Sequence, residues 1–245
     1  MAQSTDTVNT VAPLANVSLL MAAMRRALDT PTHERLIVLH GHAGYGKTTA
    51  AGYAANKARG YRVECCSHWS RKSLLAAILH EMGIPAQHSI NDMFNQAVEQ
   101  LAKSGRPLII DEADHLVRNS TIELVRDIHD KSGSVVLLCG EEGLPKKLER
   151  WARVHSRILE FVAAQPADLA DVEHLARLYC PGVDISEGWL KELHKQTGGN
   201  TRRVCVNLTR ARHEAEHLTQ ITLSLWGERG WYRSEEHTSE LQSQR

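Results

Sequence analysis

The sequence predicts an α/β fold: a parallel sheet covered by helices on both faces. Three observations predict it. Short apolar runs recur along the chain, and segments with helical periodicity alternate with them. The first run, LIVLH (Leu36–His40), leads straight into a glycine-rich loop and then an alanine-rich stretch. A later run, LIIDE, ends in the adjacent carboxylates Asp111 and Glu112.

Taken in order, the polar, Thr/Asn-rich start predicts a mobile arm. Asn16 caps a predicted helix with Leu20, Met21, Met24 and Leu28 on its apolar side, ending before Thr30-Pro31. LIVLH is a buried strand, and the alanine-rich residues 48–59 are a helix closed by Gly60. A strand over 61–66 and a helix over 70–82, ending at Gly83, repeat the unit. A helix over 91–103, a strand over 107–111 and a helix over 121–131 follow. Strands over 134–139 and 157–162 complete the sheet. Beyond Pro166 the pattern turns to helices only, over 168–179, 186–196 and 201–217. The domains expected are an arm and helix over 1–30, an α/β core over 31–163 and a helical lid over 164–232. The tail, 233–245, lacks apolar periodicity, resembles a translated cloning scar and is set aside from the fold argument.

Bulk properties narrow the partners. Lys+Arg 29 balance Asp+Glu 29, so no global charge announces nucleic acid, although basic clusters exist locally. No apolar run approaches the roughly 20 residues that cross a bilayer. An odd set of five cysteines, with Cys65 and Cys66 adjacent and no C-x-x-C pair, suits reduced thiols and a cytoplasmic protein.

The chemistry concentrates in two places. Gly41-His42-Ala43-Gly44-Tyr45-Gly46-Lys47-Thr48 matches G-x-x-x-x-G-K-[ST] between a strand and a helix, with Thr49 following. Glycines let backbone N–H groups converge on phosphate oxygens at a helix N-terminus. Lys47 is the residue to reach the β- and γ-phosphates of ATP, and the Thr48 hydroxyl the one to ligate Mg²⁺. Asp111, ending an apolar strand, is placed to hold Mg²⁺ through water, and Glu112 to polarise an attacking water.

Phosphate loop, Asp-Glu strand end, helical second domain and Gly199-Asn200-Thr201-Arg202 together resemble an AAA+ ATPase of the P-loop NTPase class. The phrases HGHAGYGKTTAA, SLLAAILHEMGI, LIIDEADHL and VVLLCGEEGLPKKLERWARVHSRI look like the target-capturing ATPases of phage Mu-type DNA transposition. The resemblance implies that Arg202 reaches from the lid towards the γ-phosphate. It implies too that Arg157, with Arg153 as second choice, is the finger supplied to a neighbour's nucleotide. Cys139 stands where that family usually has a small polar residue ending the fourth strand, which suits slow turnover. The implied activity is ATP hydrolysis stimulated by homo-oligomeric assembly, as filament or ring, on double-stranded DNA, with a transposase as partner. Two rivals stand beside it: an AAA+ adaptor acting on protein partners, and a small-molecule kinase using the same phosphate loop.

About thirty residues precede the first strand, too few for the separate DNA-binding appendage of that family's type member. DNA contact is therefore expected from the ATPase body. The candidates are Arg71-Lys72, Lys146-Lys147-Arg150-Arg153, and Arg202-Arg203 with Arg210 and Arg212. His213 and His217 have helical metal-ligand spacing but no evident third ligand, so a surface pair is expected. Trp226, Trp231 and Tyr232 are expected to pack the C-terminal segment rather than stack bases.

Overall fold

Strands whose side chains are apolar in both directions need cover on both faces, and that requirement shapes the sheet. The computed structural model describes residues 14–31, 34–118, 120–214, 220–227 and 229–233. Its main sheet comprises β1 (Leu36–His40), β2 (Tyr61–Glu64), β3 (Leu108–Asp111), β4 (Val136–Gly140) and β5 (Ile158–Ala163). The strands lie in the order β2-β3-β4-β1-β5, and every pairing is parallel. β3 and β4 are buried throughout, and in β1 only His40 is partly open.

One face of the sheet presents Leu36, Val38, Ile110 and Leu138 to a core built with α3 (Arg71–Glu81), α4 (Ile90–Ser104) and α6 (Ile122–Ser132). The short helices α7 (Leu144–Glu149) and α8 (Ala152–His155) add Leu144, Leu148 and Val154 to the same core. Ile37, Leu39, Ile109 and Leu137 alternate with those strand residues and face the other way. There α2 (Lys47–Ala58) packs on β2, β3 and β4 through an all-alanine buried stripe, which lets the helix sit close. Helix α1 (Ala15–Asp29) is tied to the edge strand by Arg26, whose guanidinium donates to Glu160 at 2.7 and 3.0 Å. A further short helix, α5 (Asp114–Arg118), follows β3 directly.

The chain divides into two compact units. One comprises Asn16–Ala43 and Lys47–Ala164; the other takes in Gly44–Gly46 and the chain from Gln165 on. In the second unit α9 (Leu169–Tyr179), α10 (Glu187–Thr197) and α11 (Thr201–Glu214) pack on one another. The side chains of Asp168 and Ser186 cap α9 and α10. Trp189 is fully buried, with Trp226 edge-on and Trp231 tilted against it at ring-centroid distances of 5.3 and 5.2 Å. Asn207 binds both the N–H and the carbonyl of Tyr232, so the C-terminal segment does pack rather than project.

Three readings need correction. The second unit is not all-helical: β6 (Asp184–Ile185) and β7 (Gln220–Ile221), which precedes α12 (Leu223–Trp226), form a parallel ladder. Two-residue strands are too short for a period-two pattern to register. The buried side of α1 is Val17, Leu20, Ala23, Met24 and Ala27, while Leu28 is exposed, and the helix starts at Ala15, one residue before Asn16. Helix α2 ends through a left-handed Arg59 (φ 51°) rather than Gly60. Gly60 is needed for space instead, since a Cβ there would lie 2.9 Å from the Pro107 carbonyl oxygen. His217, the arm and residues 234–245 lie outside the described residues.

Candidate nucleotide site

Strand order sets the geometry. β4 lies between β1 and β3, so the loop after β1 and the carboxylates after β3 are separated by two strand spacings, about 10 Å. All the strands run the same way, so these groups share the carboxyl edge of the sheet. A sheet of this type binds ligands at that edge, where successive connections leave in opposite directions.

The loop meets the requirements of a phosphate cradle. Gly41, Gly44 and Gly46 have φ of 152°, 81° and 78°, left-handed values that favour glycine. A Cβ on Gly44 would lie 2.4 Å from the Asn200 side-chain oxygen, so bulk is excluded there too. The Lys47 ammonium donates to the carbonyl oxygens of Gly41 at 2.7 Å and His42 at 2.9 Å, curling the loop round itself. Burial lowers the Lys47 pKa, with Glu112 and Asp111 opposing the shift. Thr48 and Thr49 occupy the exposed first turn of α2. His42 Nδ1 sits 2.5 Å from Glu142 Oε2, a link between this loop and the one after β4 that the sequence pattern does not show.

Asp111 is 2% exposed, and both its oxygens are engaged. Oδ1 accepts from the Glu112 N–H at 3.1 Å, and Oδ2 accepts from Arg62 Nη2 at 2.9 Å. Glu112 itself is exposed and left-handed (φ 54°), a costly conformation for a non-glycine residue that turns its carboxylate out of the strand line. Although the residue is exposed overall, partial desolvation of the carboxylate against the turn, with the neighbouring Asp111, pushes its pKa up. The turn is pinned to β4: Ala113 N–H donates to the Cys139 carbonyl at 2.8 Å, and the Asp114 carboxylate accepts from Glu141 N–H at 2.6 Å and from Lys147 Nζ at 2.5 Å. Gly140 is required there, because a Cβ would lie 2.3 Å from Asp114 Oδ2. Cys139 is fully buried, its thiol pKa pushed well above the ordinary value by burial, and β4 continues one residue past it to Gly140.

Lys47, Thr48, Asp111 and Glu112 thus gather at one edge of the first unit. Arg157 does not join them. It precedes β5 at the opposite edge of the sheet, where its guanidinium donates to Asp130 at 2.8 and 3.3 Å. Arg202 belongs to the second unit with Gly44–Gly46, and its N–H donates to the Gly44 carbonyl at 3.1 Å. Its neighbour Asn200 accepts from Arg203 N–H at 3.2 Å and so caps α11. Arg62 is the site residue the sequence reasoning missed. In a half-buried strand it alternates like any surface residue, and only strand pairing reveals its reach. Among the basic clusters, Arg71, Lys72, Lys146, Arg150, Arg153 and Arg212 are exposed, whereas Lys147 is tied to Asp114 and Arg210 to the Gly230 carbonyl. Among the described residues no His/Cys/Asp/Glu group could hold a metal by itself, and no helix is long and apolar enough to cross a membrane.

The donor set fits a magnesium nucleotide: a glycine cradle, one ammonium, a hydroxyl and a buried carboxylate. Residues 28–148 match an AAA domain. No curated protein matches the sequence significantly. Among solved structures, the chain resembles the ORC2 protein of Aeropyrum pernix, solved as ADPNP–ADP complexes, at 17% identity and TM-score 0.64, covering 89% of this chain and 68% of that one. The Aeropyrum pernix ORC1 protein in complex with DNA gives 20% identity and TM-score 0.59, covering 94% and 64%. A RuvB variant of Thermotoga maritima gives 17% and 0.61, covering 88% and 68%. The chain therefore spans about two thirds of the length of these structures. It is built on the P-loop AAA+ fold, and the groups that follow β1 and β3 fall within the residues that match an AAA domain.

Proposed function

We propose that the chain binds ATP with Mg²⁺ in loop 41–49 and hydrolyses the β–γ bond. We propose further that it assembles as a homo-oligomer on double-stranded DNA and hands target sites to a transposase. The observation that carries the nucleotide reading is the placement of Lys47 and the Asp111-Glu112 pair at one sheet edge, two strands apart. Backbone N–H groups of the loop and the Lys47 ammonium bind the phosphates, and the lowered Lys47 pKa marks a half-desolvated cation suited to a polyanion. Thr48 and Asp111 would hold Mg²⁺, which neutralises phosphate charge when bound. Glu112 takes a proton from water, its raised pKa making it a stronger base than an ordinary glutamate.

Arg157 lies at the far edge from its own Lys47, so as a finger it would serve a neighbouring subunit and couple hydrolysis to assembly. Arg202, beside the loop residue Gly44, is the proposed lid-side partner of the γ-phosphate. The DNA reading is supported by exposed basic side chains on α3, α7 and α8, and by the fold shared with an ORC1 solved on DNA. Transposition is supported by the sequence phrases around Lys47, Asp111 and Arg157. Filter binding of double-stranded DNA with ATP, with ADP and with a Lys47→Ala variant tests the ATP-dependent assembly on DNA. Tight retention is expected with ATP and the native chain alone; equal retention in all three arms would overturn the ATP-dependent assembly.

A further inference from the structure

The side chain holding Asp111 is itself a cation. The β2–β3 register sets Glu64 beside Asp111, and Arg62, two residues earlier, shares their face of the sheet. From there the Arg62 guanidinium reaches along the strand to the carboxyl edge. Its Nη2 lies 2.9 Å from Asp111 Oδ2 and 3.7 Å from Glu64 Oε2. The two acceptors differ in kind: the Asp111 side chain is 3% exposed, that of Glu64 63%. Arg62 Nε is buried without an acceptor, so the guanidinium is incompletely satisfied in this seat.

We propose that Arg62 is a positioning residue that makes cation binding at Asp111 conditional on the nucleotide, by occupying the carboxylate as a built-in counter-ion until a triphosphate arrives. This rests on the magnesium-nucleotide reading of the site. A buried carboxylate with no cation beside it would attract any free divalent ion. With a guanidinium on one oxygen and a backbone N–H on the other, Asp111 offers a free ion little attraction and some repulsion. A triphosphate brings several negative charges and changes that balance. Glu64 then gives the guanidinium a second, solvated seat within a short swing of the first. A counter-ion of this kind keeps the loop from being loaded with metal alone.

The test compares the full chain with Arg62→Gln, which keeps hydrogen-bond donors without charge, and Arg62→Lys, which keeps the charge. Mn²⁺, as a paramagnetic probe, is titrated into each protein without nucleotide, and binding of a fluorescent ATP analogue is measured against Mg²⁺ concentration. Arg62→Gln is expected to bind Mn²⁺ about ten-fold more tightly than the native chain, and to need about ten-fold less Mg²⁺ for half-maximal nucleotide binding, the scale of one partly screened charge contact. Arg62→Lys should stay near the native values, and adding Asp111→Asn to Arg62→Gln should abolish the gain. A folded Arg62→Gln with native Mn²⁺ affinity would overturn the proposal and leave Arg62 a structural partner only. If Arg62→Gln does not fold, Glu64→Gln decides. Loss of the second seat should raise the Mg²⁺ requirement, and an unchanged requirement overturns the proposal. A native chain that binds no nucleotide at any Mg²⁺ concentration defeats the ATP reading instead, and the Mn²⁺ titration still judges Arg62.

Discussion

Single residues carry the chemistry, and they differ in how plainly the sequence announces them. Lys47 and the loop glycines are fixed by backbone requirements that hold in any fold using this turn, so spacing alone reveals them. Glu112 is legible as half of a carboxylate pair, but its left-handed backbone and raised pKa are properties of the folded turn after β3, set by partial desolvation and the neighbouring Asp111. Replacing Glu112 by Gln should leave nucleotide binding intact and slow phosphate release about 10²–10⁴-fold, the usual worth of a positioned base. Retention of the native rate would remove Glu112 from the mechanism. The pH profile carries a sign as well. Glu112 acts as base only when ionised, and its pKa lies above the ordinary value of about 4.3. Hydrolysis should therefore fall as pH drops through a limb displaced to higher pH than an ordinary glutamate gives. A limb at the ordinary position would show that some other group limits the rate. Arg62 was illegible because its partner lies on another strand, 49 positions along the chain.

Elements follow period and punctuation. The five strands of the main sheet and the longer helices were readable, since each combines an apolar pattern with a glycine, proline or capping residue at its end. Helices α5, α7 and α8, of five, six and four residues, were not, being shorter than two turns of any periodic signal. The ladder of β6 with β7 escaped for the same reason. Capping is the one local device in the second unit whose worth can be read directly. Asp168 accepts from Asp171 N–H at 2.8 Å and starts α9. Asp168→Ala should cost about 1 kcal/mol of stability in denaturant unfolding, and no measurable loss would show that water replaces the cap.

At the scale of the whole molecule, balanced charge hides an uneven distribution. Exposed arginines and lysines gather on α3, α7, α8 and α11 although the net charge is zero. If these surfaces carry DNA, affinity should fall at least about ten-fold between 50 and 200 mM salt, whatever the sequence of the duplex. A salt-independent affinity would point to base readout instead. Arg157 could be matched to a role only by family likeness, and its ion pair with Asp130 follows from the packing of α6 against α8, the helix that leads to it. The three clustered indoles of the second unit have a practical consequence. Trp189, Trp226 and Trp231 are three of the five tryptophans in the chain, each about 5 Å from the other two. Chromophores that close share their excitation and give a strong, signed band in near-ultraviolet dichroism. With Trp69 and Trp151 changed to phenylalanine, all remaining indole emission would come from this one unit, an intrinsic optical label needing no dye.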